Sequence, residues 1–167
     1  MSETCRDDLI RLAEGLNPQS VLAIGPAMKG LLSDFGAGHP DCRIECLGAA
    51  DVLDGLRGRG VYDLVLLAGI LEFMDKGRGE TLLGCIRDQH ARELAVVVPI
   101  GSEWPDHESR WERNDLLAFG MSLQARYEEQ GRPVHLYRFS LRNYKATPEW
   151  LNPKYWAHPE LFGKYRW

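Results

Sequence analysis

Three short runs, Val21 to Ile24, Leu64 to Ala68 and Leu94 to Val98, are apolar at every position. A strand that is apolar on both faces has no solvent side. It belongs inside a sheet covered by helices above and below, the usual setting of parallel strands. Between these runs lie segments of helical period, with Leu9, Leu12 and Leu16 in one and Leu82, Leu83 and Ile86 in another. Strand and helix alternating in this way predict an α/β domain built on a mostly parallel, three-layer sheet.

The punctuation sets provisional boundaries. A first helix spans Asp7 to Leu16 and stops at Asn17-Pro18, since the residue before proline avoids the helical region. The Val21 strand closes at Gly25-Pro26, a short helix runs from Met28 to Phe35, and Arg43 to Leu47 forms a second strand. Tyr62 to Gly69 is the strongest strand. Gly77 and Gly79 predict a following helix that begins only at Glu80 and continues to Arg92, before a strand over Leu94 to Ile100. A helix follows over Asn114 to Met121. Ser122 to Glu128 fits two periods: Leu123 and Tyr127 are four apart, yet Leu123, Ala125 and Tyr127 also alternate with Gln124, Arg126 and Glu128. Turn residues at Glu129-Gln130-Gly131-Arg132, ahead of the β-rich Val134 to Leu141, favour a hairpin.

Only fourteen residues, Gly48 to Val61, separate the second strand from the Tyr62 strand. One crossover already needs about 10–12 residues, so no further strand fits between them. Right-handed crossovers then give a strand order of 2-1-3-4, with the hairpin on the far edge.

Composition narrows the classes of function. At 167 residues, 44% hydrophobic and 26% charged, the chain can bury a core without disulfide or metal staples. No apolar run approaches the ~20 residues of a membrane span, and Asp7, Asp8 and Glu14 near the start do not fit a secretory leader. Four irregularly spaced cysteines suit a reducing compartment, so a cytoplasmic location is expected. A net charge of −4 argues against a nucleic-acid coat and no membrane partner is expected.

From Arg142 the balance reverses, with five Lys or Arg against two acids, seven of the sixteen aromatic residues and three prolines. The expected organisation is therefore an α/β domain over 1–141 and a basic, aromatic arm over 142–167 packed on it. Interleaved basic and aromatic residues also stack bases. Irregular spacing between prolines favours packing along the domain instead.

The segment Ile24-Gly25-Pro26-Ala27-Met28-Lys29-Gly30 runs a buried strand through a glycine turn into a helix. Such a turn places backbone N–H groups at the carboxyl edge of the sheet, and small residues let a ligand approach the main chain. In open α/β sheets that edge is where ligands bind. Glu72, Trp104 and His107 follow the ends of neighbouring strands and point to a substrate pocket on the same edge. Each also has an ordinary structural reading, Glu72 as a helix-start acid and the other two as parts of a packed loop. His39, Cys42 and Cys46 lack the spacing of a zinc knuckle and read as free thiols beside a histidine, with no metal expected.

Across about Ser20 to Leu141 the chain resembles the class I S-adenosylmethionine-dependent methyltransferases. Val21-Leu22-Ala23-Ile24-Gly25 is similar to their first motif, Tyr62-Asp63-Leu64-Val65-Leu66 to their aromatic-Asp strand, and Ile70-Leu71-Glu72-Phe73-Met74 to the segment after it. It is also similar to a small bacterial family with this core and an aromatic tail ending in Gly163-Lys164-Tyr165-Arg166-Trp167. The resemblance implies a Rossmann-like fold lacking one βα unit and S-adenosylmethionine as cofactor. It implies a pocket shaped by Gly25, Ala27, Gly30 and Gly69, with Glu45 or Asp51 on the nucleoside. The acceptor, a small molecule or a protein, is left open.

The chain departs from the family where Ala23 and Leu47 replace expected acids, and where Met28 and Lys29 sit among the glycines. The competing expectation is a non-catalytic Rossmann-like scaffold with a decayed cofactor site and a protein partner.

Overall fold

The computed structural model describes residues 1–26, 28–50 and 52–144. The expectations for Ala27, Asp51 and residues 145–167 of the arm lie outside these residues.

Six strands form one sheet: β1 (Ser20–Ile24), β2 (Arg43–Leu47), β3 (Tyr62–Ala68), β4 (Ala91–Pro99), β5 (Ser122–Glu129) and β6 (Arg132–Ser140). Their order is β2-β1-β3-β4-β6-β5. The β1–β2, β1–β3 and β3–β4 pairs are parallel, and the β4–β6 and β5–β6 pairs are antiparallel. The hairpin reading therefore holds over the helical one. Its two-residue turn, Gln130 and Gly131, has φ of 54° and 73°, the left-handed pair that matches strand twist.

Helices cover both faces. On one face α1 (Glu3–Leu16) and α2 (Met28–Gly38) bury Leu9, Ala13, Leu31 and Phe35 against Val21, Ala23, Leu64 and Leu66. On the other, α3 (Val52–Leu56), α4 (Lys76–Cys85) and α5 (Arg113–Ala118) meet Leu22, Ile24, Val65 and Leu67. Alternate residues of the same strand thus feed two cores, which is why the central strands are apolar throughout. Between β2 and β3 there is one five-residue helix, as the short spacing requires. The described chain ends in α6 (Leu141–Tyr144).

Three boundaries differ from the sequence reading. The first helix starts at Glu3, where the Ser2 hydroxyl accepts from the Cys5 N–H at 3.3 Å, and its buried stripe is Cys5, Leu9 and Ala13 rather than leucines alone. α4 starts at Lys76, capped by the Asp75 carboxylate on the Arg78 N–H, so Gly77 and Gly79 lie inside it. It ends at Cys85, and a π-turn over Ile86–His90 leads into a β4 that begins at Ala91. Glu93 falls between the expected helix and strand in sequence. It is instead buried in β4, paired with Arg138 at 3.0 Å and accepting from the Ser140 hydroxyl at 2.7 Å on β6.

Asp63 has a job at the amino edge of the sheet. Its Oδ2 accepts from the Gln19 and Ser20 N–H groups and the Ser20 hydroxyl at 3.0–3.1 Å, while Arg92 lies 3.3 Å from Oδ1. Asp63→Ala strands those donors. We expect a loss of about 1–3 kcal/mol in urea unfolding, with Asp63→Asn recovering part of it, and no change in ligand binding.

Candidate functional site at the carboxyl edge of the sheet

Parallel pairing brings the ends of β1 and β3 together. Gly25 has φ +120°, and a Cβ there would sit 1.9 Å from the Ala68 carbonyl oxygen. Only a residue without a side chain lets the turn press onto the end of β3. The Gly25 N–H itself continues the sheet ladder, donating to the Leu47 carbonyl at 3.1 Å. Pro26 then lies over Gly69, itself at φ +70°, with its ring 3.6 Å from where a Gly69 Cβ would be.

Beside this contact opens a hollow of about 340 Å³ walled by Pro26, Ala49, Gly69, Ile70, Phe73 and Arg78. Met28 does not plug it. That side chain is 1% exposed and packs into the core beneath α1 and α2.

A second hollow, of about 200 Å³, adjoins the first at Gly69 and is lined by Ala68, Glu72, Trp104, His107 and Val134. Glu72 is positioned by a 3-10 turn over Leu71–Phe73, which the loop after β4 grips by its carbonyls. The Ser109 hydroxyl donates to the Leu71 carbonyl at 2.7 Å, and the Trp111 indole N–H lies within bonding distance of the same carbonyl (3.3 Å) and the Ser109 hydroxyl (3.0 Å). The N–H groups of Glu108 and Ser109 donate to the Glu72 carbonyl at 2.9 and 3.3 Å. The same loop carries the aromatic wall: Trp104 stacks on His107 at 4.9 Å, and Phe73 meets His107 edge-on at 5.3 Å.

The electrostatics of this second hollow are unusual in one respect. Glu72 is only 6% exposed, and among the described residues its Oε2 has no hydrogen-bond partner. Burial raises its pKa above the ordinary carboxyl value, partly offset by backbone N–H groups at Glu72 and Ile70. At the rim the Met1 α-ammonium pairs with Glu129 at 2.5 Å. Burial lowers the His107 pKa below the ordinary imidazole value; Asp106 opposes the shift and Arg132 reinforces it.

Thus Glu72, Trp104, His107 and Gly69 converge, with Gly25 and Pro26 next to them. Gly30 and Glu45 are placed elsewhere. Gly30 faces α1, where Arg6 donates to its carbonyl at 2.9 Å and the guanidinium lies 3.4 Å from a would-be Cβ. Glu45 is held by Arg59, by the Tyr62 hydroxyl at 3.0 Å and by Arg43 at 3.4 Å. His39 stacks on Phe35 at 4.1 Å, and among the described residues no group of three His, Cys, Asp or Glu side chains gathers to hold a metal. Sequence reasoning missed Arg78 and the rim formed by Met1, Glu129 and Val134. Asp75 as a helix cap was the available signal for Arg78; the rim is brought together only by the tertiary fold.

Strand order, helix layers and the glycine turn together define the class I methyltransferase fold, and known structures agree. The methyltransferase domain of bacterial CtHen1 superposes with a TM-score of 0.56 at 13% identity, over 82% of this chain and 97% of that one. The N-methyltransferase NodS from Bradyrhizobium japonicum WM9, solved with S-adenosyl-l-homocysteine, gives 0.61 at 16% identity, over 81% and 85%. Magnesium protoporphyrin IX methyltransferase (ChlM) from Synechocystis PCC 6803 with bound SAM gives 0.55 at 12%, over 81% and 77%. By sequence, residues 3–167 match the family described as "Family of unknown function (DUF6231)", and the chain belongs to that family. No curated protein matches it. Among the described residues no helix is long and apolar enough to cross a membrane.

Proposed function

We propose that the protein binds S-adenosylmethionine in the hollow beside Gly25 and Gly69 and presents an acceptor at Glu72, Trp104 and His107. The carrying observation is the Gly25–Ala68 contact, which leaves two hollows meeting at one glycine. The residues fit the group in size and character. The larger hollow falls in the range of small-molecule sites, Ile70 and Phe73 offer apolar cover to a base, and Arg78 offers a cation to a carboxylate. When bound, the cofactor supplies an activated methyl group. The protein's part is to hold the two partners side by side and exclude water, which is most of what methyl transfer requires.

Calorimetry with S-adenosylhomocysteine tests this. We expect a Kd below about 1 mM, weakened about tenfold by Arg78→Ala. Absence of heat at millimolar ligand, from protein shown to be folded, sinks the reading. The scaffold alternative has its own observation. Leu47 stands where the family places a ribose-binding acid, and Glu45 is already engaged by Arg59 and Tyr62. In that reading the carboxyl edge is inherited shape, and the aromatic arm serves a protein partner.

A further inference from the structure

Glu72 poses a question that the fold does not answer. A carboxyl oxygen this buried and without a partner among the described residues is costly, and native structures keep such atoms for a purpose or for a guest. Here the oxygen belongs to a residue that lines the second hollow, opposite Trp104 and His107 and beside the apolar Val97 and Val134. The Met1 α-ammonium at the rim is paired with Glu129 and reaches Glu72 only through space, so among the described residues no cation is bonded to Glu72. The Arg132 guanidinium lies over the Trp104 ring, 5.4 Å from its centroid, but does not line the hollow. An anion entering this space would meet two carboxyl groups, whereas a protonated amine would supply the donor that Oε2 lacks and an aromatic face to lie against.

We propose that the hollow over Glu72 is an amine site, which seats the ammonium group of a small aromatic or apolar amine against Glu72 Oε2 with its body along Trp104 and His107. This deepens the methyl-transfer reading and rests on it for its meaning: the acceptor class is an amine. For methyl transfer the ammonium would give one proton to Glu72 Oε2. The freed nitrogen lone pair would bond the methyl carbon, and the sulfur would leave with the electron pair of the broken S–CH3 bond. The loop from Gly101 to Trp111 supplies the wall.

Benzylamine is the probe, with benzyl alcohol and benzoate as isosteric controls, each titrated into the full chain. The readout is the Trp104 indole N–H and the Val97 and Val134 methyl resonances in NMR. Saturable shifts are expected for benzylamine at millimolar concentration, about tenfold tighter than for either control. Glu72→Gln keeps the shape and should cut benzylamine affinity about tenfold while leaving S-adenosylhomocysteine binding intact. Trp104→Ala should weaken the amine several-fold, read on the valine methyls, and also spare the nucleoside.

Benzoate or benzyl alcohol binding as well as the amine overturns the assignment, as does indifference to Glu72→Gln. No shift with any probe would mean that solvent alone meets the oxygen, and overturns it too. Failure of S-adenosylhomocysteine to bind while benzylamine still does is a separate result: it removes the methyl-transfer reading and leaves an amine site in a scaffold.

Discussion

Gly25→Ala should cost the protein at least about 3 kcal/mol and lower its melting temperature by about 10 °C. Two independent penalties meet at this position. A φ of +120° lies where residues with a side chain are strained by about 1–3 kcal/mol. The new methyl would also stand 1.9 Å from the Ala68 carbonyl oxygen, which is backbone in a central strand and cannot swing aside. Forcing β1 away from β3 there adds an overpacking cost of about 1–3 kcal/mol. For a domain of this size each kcal/mol moves the midpoint by about 2–4 °C.

Gly15→Ala is the matched control. Nothing lies within 4 Å of its would-be Cβ, and it sits inside α1, so this variant should be stabilised by about 0.5–1 kcal/mol. Differential scanning calorimetry of both variants decides. If Gly25→Ala melts with the wild type, the turn is not pressed on β3, and the hollow beside it loses its stated cause.

That contact also shows what sequence could and could not reveal. The strands were legible because a parallel sheet buries both faces, so Val21–Ile24, Leu64–Ala68 and Leu94–Val98 announce themselves without reference to any partner. Strand order followed from spacing together with the right-handedness of crossovers. The clustering of Glu72, Trp104 and His107 was legible for the same reason, since parallel strands deliver every following loop to one edge.

Glycine was harder to read. Gly25, Gly30 and Gly79 look alike in sequence, yet one meets a strand carbonyl, one meets Arg6 on another helix, and one makes room for a tryptophan thirty-two residues away. Glu45 was ambiguous because strand alternation assigns a face but not the end of the sheet toward which a long side chain leans. Arg59 and Tyr62 decide that, and they come from the connection after β2 and from β3, two strands away in the sheet. What stayed hidden in each case is a contact between residues distant in sequence, which no local pattern encodes.

Trp111 is where such a contact bears most on both fold and site. It is fully buried. Its ring fills the place where a Gly79 side chain would be, 2.7 Å from that missing Cβ, with the Lys76 ammonium 3.9 Å from the ring centre. Its N–H, bonded to Leu71 and Ser109, helps clamp the loop onto the turn that carries Glu72.

Trp111→Ala therefore removes a large core side chain and a buried donor together. The expected loss is about 3–5 kcal/mol in equilibrium unfolding. Trp111→Phe keeps most of the ring contact and loses only the N–H. It should cost about 1–3 kcal/mol, for a Leu71 carbonyl left with less than its full complement. The two variants separate packing from clamping. In Trp111→Phe, a fold that survives should bind benzylamine more weakly, because the Leu71–Phe73 turn no longer holds Glu72 in one place. S-adenosylhomocysteine binding, which we propose on the other side of Gly69, should change much less. Equal weakening of both ligands would show that the loop supports the whole edge rather than the Glu72 hollow, and the division of the site into two chambers would have to be abandoned.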